Sequence, residues 1–177
     1  IARGVRLFQV VPDQTETEQL YHTALAELAR DDVAAAERTI GRALAITPAT
    51  QQAGLCEVAG AAFYDYGADA AAVRLFRRAL TFGYNPAIAT TAAWILASTE
   101  QSSLRDGQAA LALLAPQRAR PPADATYHSA LAAASAEVGR FSDAVTAGQR
   151  AVELARNAGD RAAEALLQQR LEAYRAG

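Results

Sequence analysis

The sequence predicts an all-α protein, an α-solenoid of about four stacked helical hairpins closed by a C-terminal helix. Ala36, Ala72 and Ala144 stand one and two 36-residue steps apart, and each begins a similar run of small and apolar residues. A repeat near this length is typical of helical hairpins that stack, because each hairpin covers the apolar face of its neighbour. The composition agrees, since 51% of the residues are hydrophobic but only 7% are aromatic. Much of the apolar content is alanine, which favours helices and lets them pack closely.

The first hairpin is predicted to begin near Thr15, which stands three residues before a glutamate, the spacing of a capping box. The acidic pair Asp31-Asp32 makes the turn, and the second helix covers roughly residues 33–46. Pro48 ends the hairpin because a proline cannot continue a helix.

The second hairpin is the clearest copy of the repeat. Its first helix is predicted over residues 53–66 and ends at Gly67, the residue type preferred just after a helix. Asp69 is predicted to cap the second helix, which ends at Gly83.

The third hairpin is irregular. Asn85-Pro86 opens its first helix, as a capping residue followed by proline should. A polar connector over residues 98–103 is longer than the other turns, and residues 104–107 lead into the second helix. Pro116, Pro121 and Pro122 bound the loop that follows.

The fourth hairpin returns to the regular pattern. It turns at Gly139, and residues 141–143 are predicted to cap its second helix. Residues 157–160 then end that helix and start a last one, whose predicted apolar face carries Leu166, Leu167, Leu171 and Tyr174. A stack of hairpins needs such an end piece, because the face of its last hairpin would otherwise stay uncovered.

Three segments follow from this interpretation. Residues 1–14 do not match the repeat and form an N-terminal arm or the end of a preceding segment. Residues 15–158 form the four hairpins, and residues 159–177 form the capping helix. The chain starts at Ile1 and contains no methionine, which indicates a processed protein or a piece of a longer one.

The pattern of small and aromatic residues resembles the tetratricopeptide repeat (TPR). The likeness covers roughly residues 17–176. It is carried in the second hairpin by Gly60, Phe63, Gly67, Ala72, Phe76 and Ala79, and in the fourth by Leu131, Ala132, Gly139, Phe141, Ala144 and Ala151. The resemblance implies a right-handed solenoid whose concave face is lined by the first helix of each pair and binds a protein or an extended peptide.

The second half has a narrower resemblance. The segments AWILAS (93–98), LRDG (104–107), GRF (139–141) and RLEAYRAG (170–177) are similar to C-terminal repeats of some bacterial proteins. In that group the repeats often follow a multi-spanning membrane part related to O-glycosyltransferases. The resemblance implies a tethered, partner-binding domain and brings no catalytic residue to this segment.

Composition excludes several classes of function. The formal net charge is −2 and there is no basic run, which argues against a nucleic-acid partner. No stretch is apolar enough to insert in a bilayer, although tethering to a membrane protein stays open. The single cysteine, Cys56, allows no internal disulfide and is predicted to be a small buried residue. The compartment therefore stays undecided among the cytoplasm, the periplasm and a membrane surface.

No catalytic or metal-binding pattern stands out. The two histidines, His22 and His128, each follow a tyrosine but have no cysteine or carboxylate at a metal-ligand spacing. Phosphate-binding loops and nucleophile elbows are absent from the sequence. The chain is therefore not expected to be an enzyme or to require a metal or cofactor.

The predicted partner-binding residues lie on the first helices, opposite their packing faces. They are Tyr21, His22, Glu57, Tyr64, Asp65, Thr90, Trp94 and Glu137. Trp94 is the leading anchor, because exposed tryptophan is favoured at interfaces. The alternative is that Trp94 fills space beside its small neighbours.

Three functions remain open from the sequence. The first is a non-catalytic scaffold that binds a protein or peptide in its groove. The second is a regulatory or substrate-presenting domain of a larger enzyme of the membrane glycosyltransferase type. The third is a structural subunit of a large complex.

Overall fold

The protein is all-α, as the sequence predicts. The computed structural model describes residues 15–177, so the predicted N-terminal arm lies outside the described residues. They form nine α-helices and one 3₁₀ turn, Ala115–Gln117. The helices are α1 (Thr15–Leu28), α2 (Val33–Ile46), α3 (Ala49–Asp65), α4 (Asp69–Thr81), α5 (Pro86–Ser98), α6 (Gly107–Leu114), α7 (Ala125–Glu137), α8 (Phe141–Asn157) and α9 (Arg161–Ala176).

The chain divides into two compact units, of which the first runs to Gly83. In this unit α1 packs against α2 and α3 against α4, as two helical hairpins. The repeat alanines Ala36 and Ala72 are fully buried, which is why the sequence period marks the helix contacts. Cys56 is also fully buried, so the prediction for this residue is confirmed.

The second unit begins at Tyr84 and contains the other five helices. Here α5 packs against α6 and α7, α7 against α8, and α8 against α9. Leu167 and Leu171 of α9 join Ala151, Val152 and Ala155 of α8 in one buried cluster. The last helix therefore covers the apolar face of α8, while Leu166, predicted to share that face, is 48% exposed.

The three regular hairpins make their turns with the same backbone conformation. Gly67 and Gly139 have φ values of 77° and 76°, in the left-handed region that glycine adopts at little cost. Asp31 occupies the equivalent position of the first hairpin with a φ of 61°. The repeat thus extends to the backbone of the turns, even where its glycine is missing.

The helix starts show which capping predictions hold. Asn85 accepts a hydrogen bond from the backbone N–H of Ala87 at 3.0 Å, and Pro86 begins α5 as predicted. Asp69, predicted to cap α4, is instead its first residue, and the preceding Ala68 offers no side-chain cap. Likewise α8 begins at Phe141 after Arg140, so residues 141–143 form its first turn and do not cap it.

The first helix of the second hairpin is longer than predicted. It begins at Ala49, directly after Pro48, and not near residue 53. The fixed φ of proline suits a helix start, so Pro48 both ends the first hairpin and opens the second.

Between residues 15 and 177, none of the helices combines the length and the apolar character needed to span a membrane.

Candidate partner-binding cleft

A cleft of about 410 Å³ opens in the second unit between α5, α7 and α9. The polar and aromatic side chains come from all three helices, and the small residues come from α5 and α7. The lining residues are Trp94, Ala97 and Ser98 of α5, Ala133, Ala136 and Glu137 of α7, and Arg170 and Tyr174 of α9. Because alanine side chains are short, the space between the three helices stays unfilled and the larger side chains line it.

Trp94 is half-buried and forms one wall of this cleft. The Cζ atom of Arg170 lies 4.4 Å from the centre of its ring, within the range of a cation–π contact. The contact ties α9 to α5, although the two helices are separated in the chain by three others.

The placement of α9 depends on Gly148 of α8. A Cβ atom at this position would lie 3.3 Å from Leu171 Cδ1 and 3.5 Å from Tyr174 Cδ2. The missing side chain lets α9 approach α8 closely. That approach brings Arg170 and Tyr174, which are four residues apart on one face of α9, to the cleft.

Glu137 stands on the α7 side of the cleft with its charge already paired. Its Oε1 atom lies 3.4 Å from Nε of Arg105, in the connector before α6. Gly107 lies against the end of α7, because a Cβ atom there would lie 2.9 Å from Glu137 Cβ and 3.0 Å from the Ala134 carbonyl oxygen, so its missing side chain lets the connector approach α7. The carboxylate is thus held at the edge of the cleft by an ion pair.

Arg170 and Tyr174 present hydrogen-bond donors to the cleft without an acceptor from the described chain. Within residues 15–177, the ion pairs of arginine involve other residues, and the Arg170 guanidinium lies over the Trp94 ring. Burial raises the pKa of the Tyr174 hydroxyl, and the nearby Arg170 charge opposes part of that shift. The phenol therefore remains protonated, and a donor, at neutral pH.

Thr90 does not belong to this surface, in contrast to its prediction as a groove residue. Its side chain is buried, and its hydroxyl oxygen accepts a hydrogen bond from the Gln117 side-chain amide at 3.3 Å. Gln117 lies in the 3₁₀ turn that follows the short helix α6. This turn folds back over the start of α5, so the irregular third hairpin covers a position that is open in a regular one.

The remaining predicted residues lie in the first unit, on α1 and α3. Tyr21, Glu57 and Tyr64 are half-buried, whereas His22 and Asp65 are exposed. Burial raises the pKa of Tyr21, and the Asp65 charge adds to the shift, which places that carboxylate near the phenol. His22 lies 3.9 Å from Glu18 one turn earlier and meets the Tyr21 ring edge-on. These side chains form a second polar surface, which shares no residue with the cleft.

His128 is held by its own loop. Its Nε2 atom lies 3.2 Å from the Pro122 carbonyl oxygen, and its ring meets that of Tyr127 edge-on. Burial lowers the pKa of His128, so the imidazole is neutral at neutral pH and donates from Nε2 to the carbonyl. In the described range, 15–177, no three or more histidine, cysteine or carboxylate side chains converge on a possible metal position.

The cleft brings together Trp94 and Glu137, two of the predicted residues, and adds Arg170 and Tyr174, which the sequence did not predict. The periodicity of α9 predicts a capping helix, and the predicted partner-binding residues all lie on the first helices of the hairpins. The available signal was the spacing of an arginine and a tyrosine four residues apart on the final helix.

Solved structures share this fold. The MamA RS-1 ArsTM double mutant has a TM-score of 0.60 and 16% identity over 92% of this chain and 96% of its own. MamA AMB-1 has a TM-score of 0.54 and 17% identity over 93% of this chain and 87% of its own. No protein-family model and no curated protein sequence matches the chain. Since MamA is a TPR-containing protein, the chain has a TPR-like fold.

Proposed function

We propose that this chain is a non-catalytic protein-interaction module that binds a protein or peptide segment in the cleft of its second unit. The observation that carries the proposal is the half-buried Trp94 lining a solvent-open cleft with charged and hydroxyl-bearing side chains from two other helices. An aromatic anchor surrounded by a few fixed polar groups is the usual centre of an interface. The TPR-like fold supports the same conclusion, because stacked hairpins serve mainly as binding scaffolds.

The surface on α1 and α3 is a second contact region in this proposal. It offers Tyr21 and Tyr64 with the carboxylates Glu57 and Asp65. Each of the two regions is proposed on its own, the cleft as the contact region of the second unit and this surface as that of the first.

The test is the replacement of Trp94 by alanine. Peptides selected from a random display library on the intact chain serve as probes, and their affinity for Trp94→Ala is measured by calorimetry. We expect a loss of about 2 kcal/mol, the level of an interface anchor. Phe141→Ala is the matched control, because Phe141 is a 40% exposed aromatic residue of the same unit outside the cleft.

Melting temperatures separate an anchor from a space-filling residue. If Trp94→Ala melts much earlier than the parent while its folded fraction binds the peptides equally well, Trp94 is a core residue and the cleft is not the binding site. A library that yields no peptide whose binding depends on Trp94 also contradicts the proposal.

The resemblance of the segments 93–98, 104–107, 139–141 and 170–177 to repeats of membrane O-glycosyltransferase-like proteins supports a second candidate. In that case the same cleft would bind a substrate segment or another part of a larger enzyme. Membrane-spanning sequence encoded directly upstream of Ile1 would favour this candidate, and its absence from the gene would remove it.

A further inference from the structure

We propose that the cleft recognises an acidic side chain of its partner, an aspartate or glutamate whose carboxylate pairs with Arg170 while Arg170 is stacked on Trp94. This inference rests on the proposed function and names the chemistry of the segment that the cleft accepts.

The first step concerns how Arg170 is held. Its Cζ atom lies over the Trp94 ring, 4.4 Å from the ring centre, so the indole occupies one side of the guanidinium. The N–H groups of the guanidinium have no acceptor within the described chain, and their planar fork matches the two oxygens of a carboxylate. The indole ring therefore orients the arginine before the partner binds. This reduces the loss of side-chain conformational entropy on binding.

The second step is the balance of donors and acceptors. Within the described chain, Arg170, the Tyr174 hydroxyl and the Trp94 indole N–H have no hydrogen-bond acceptor. The Ser98 hydroxyl is already used, because it donates to the Trp94 carbonyl oxygen at 2.7 Å. Unused donors in a half-buried cleft favour a ligand that brings acceptors, and a carboxylate brings the most.

The third step is the net charge at the cleft. Glu137 could neutralise Arg170, but its carboxylate is paired with Arg105 at 3.4 Å. The charge that stays unpaired is therefore the positive charge of Arg170. A cation of the partner could not stack on the Trp94 ring, because Arg170 already lies over it, and Arg170 would repel that cation. An anion of the partner would be attracted by the Arg170 charge.

The fourth step is the shape of the remaining space. Ala97, Ala133 and Ala136 supply short apolar walls next to the charged group. A volume of about 410 Å³ accommodates side chains and not a whole folded element. The fitting segment carries the acidic residue beside an apolar one.

The experiment uses the intact chain and peptides selected on it from the random display library. The peptides are synthesised with amidated C-termini, so that any carboxylate belongs to a side chain. We expect enrichment of aspartate or glutamate at one position. Replacing that residue by its amide should weaken binding about 10- to 100-fold, the range for hydrogen bonds to charged groups.

Variants of the protein test the same contact from the other side. Arg170→Gln should weaken binding to a similar degree, and Arg170→Lys should recover only part of it because lysine lacks the planar fork. Arg161→Gln removes the same charge from an exposed position of the same helix and should bind like the parent.

The outcomes separate the two proposals. Peptides that need Trp94 but bind Arg170→Gln as well as the parent, or that are enriched in lysine and arginine, overturn the acidic-ligand inference and leave the cleft as the binding site. Peptides that bind independently of Trp94 overturn the proposed site itself. In a double-mutant cycle, near-additive losses from Arg170→Gln and the peptide amide substitution would also contradict the direct pair.

Discussion

At the scale of single residues, the smallest side chains decide how close two helices lie. Gly60 of α3 faces Phe76 of α4, and a Cβ atom at Gly60 would lie 2.7 Å from Cε1 and 2.8 Å from Cδ1 of that ring. Phe76 is itself buried and cannot swing away. The phenylalanine ring thus occupies the space that the glycine leaves.

Gly60→Ala is therefore expected to destabilise the chain by about 1–3 kcal/mol, the usual cost of overpacking a core. Gly54→Ala is the matched control, since Gly54 lies on the same helix and a Cβ atom there would meet nothing within 4 Å. That change should stabilise the helix by up to about 1 kcal/mol, because alanine restricts the unfolded chain. Denaturant unfolding of both variants measures the difference, and equal stabilities would show that α3 and α4 do not meet at Gly60.

At the scale of elements, turns and caps set where each helix stops. Asp31, Gly67 and Gly139 all adopt positive φ at the end of the first helix of a hairpin. For an L-residue with a side chain this region is costly, although aspartate tolerates it better than most. The first hairpin therefore keeps a less favourable residue at a position where the other two hairpins use glycine.

Replacing Asp31 by glycine should raise the stability of the chain by up to about 1 kcal/mol, since the relief of strain exceeds the entropy that glycine adds to the unfolded state. The opposite change, Gly67→Ala, should lower it by a similar amount. Thermal melting of the two variants tests the turn geometry. A loss of stability in Asp31→Gly would mean that the aspartate side chain stabilises the folded protein by more than its positive φ destabilises it.

At the scale of the whole molecule, α9 has two roles. Its buried leucines cover α8, and its Arg170 and Tyr174 supply one wall of the cleft. The helix that covers α8 thereby also completes the candidate binding site. Loss of packing along α9 should consequently weaken both stability and partner binding.

Leu171→Ala tests this coupling. Leu171 is 2% exposed, so its truncation should cost about 2–5 kcal/mol and release α9 from α8. Leu166→Ala, on the same helix but 48% exposed, should change stability by less than about 0.5 kcal/mol. Calorimetric melting gives the two values. A Leu171→Ala protein as stable as the parent would show that α9 does not act as a cap.

The helices and the repeat follow from features of the sequence alone. Helical periodicity, capping residues such as Asn85 and turn glycines such as Gly67 are local signals, because the groups they join lie within one turn of the chain. The buried alanines identify the hairpin contacts for another reason, since the same small residue recurs at the 36-residue interval of the repeat. The predicted caps at Asp69 and at residues 141–143 lie one to three residues after the observed N-cap positions, Ala68 and Arg140, since the sequence does not show which residue of a first turn keeps helical dihedrals.

The composition of the cleft depends on contacts between residues far apart in the chain. Leu167 and Leu171 pack α9 against α8 beside Gly148, and this packing places Arg170 over the Trp94 ring. Thr90 is excluded because the 3₁₀ turn places Gln117 over it, a result of the short α6. Sequence period specifies which face of a helix packs, whereas the angle and spacing between helices depend on how particular side chains interlock.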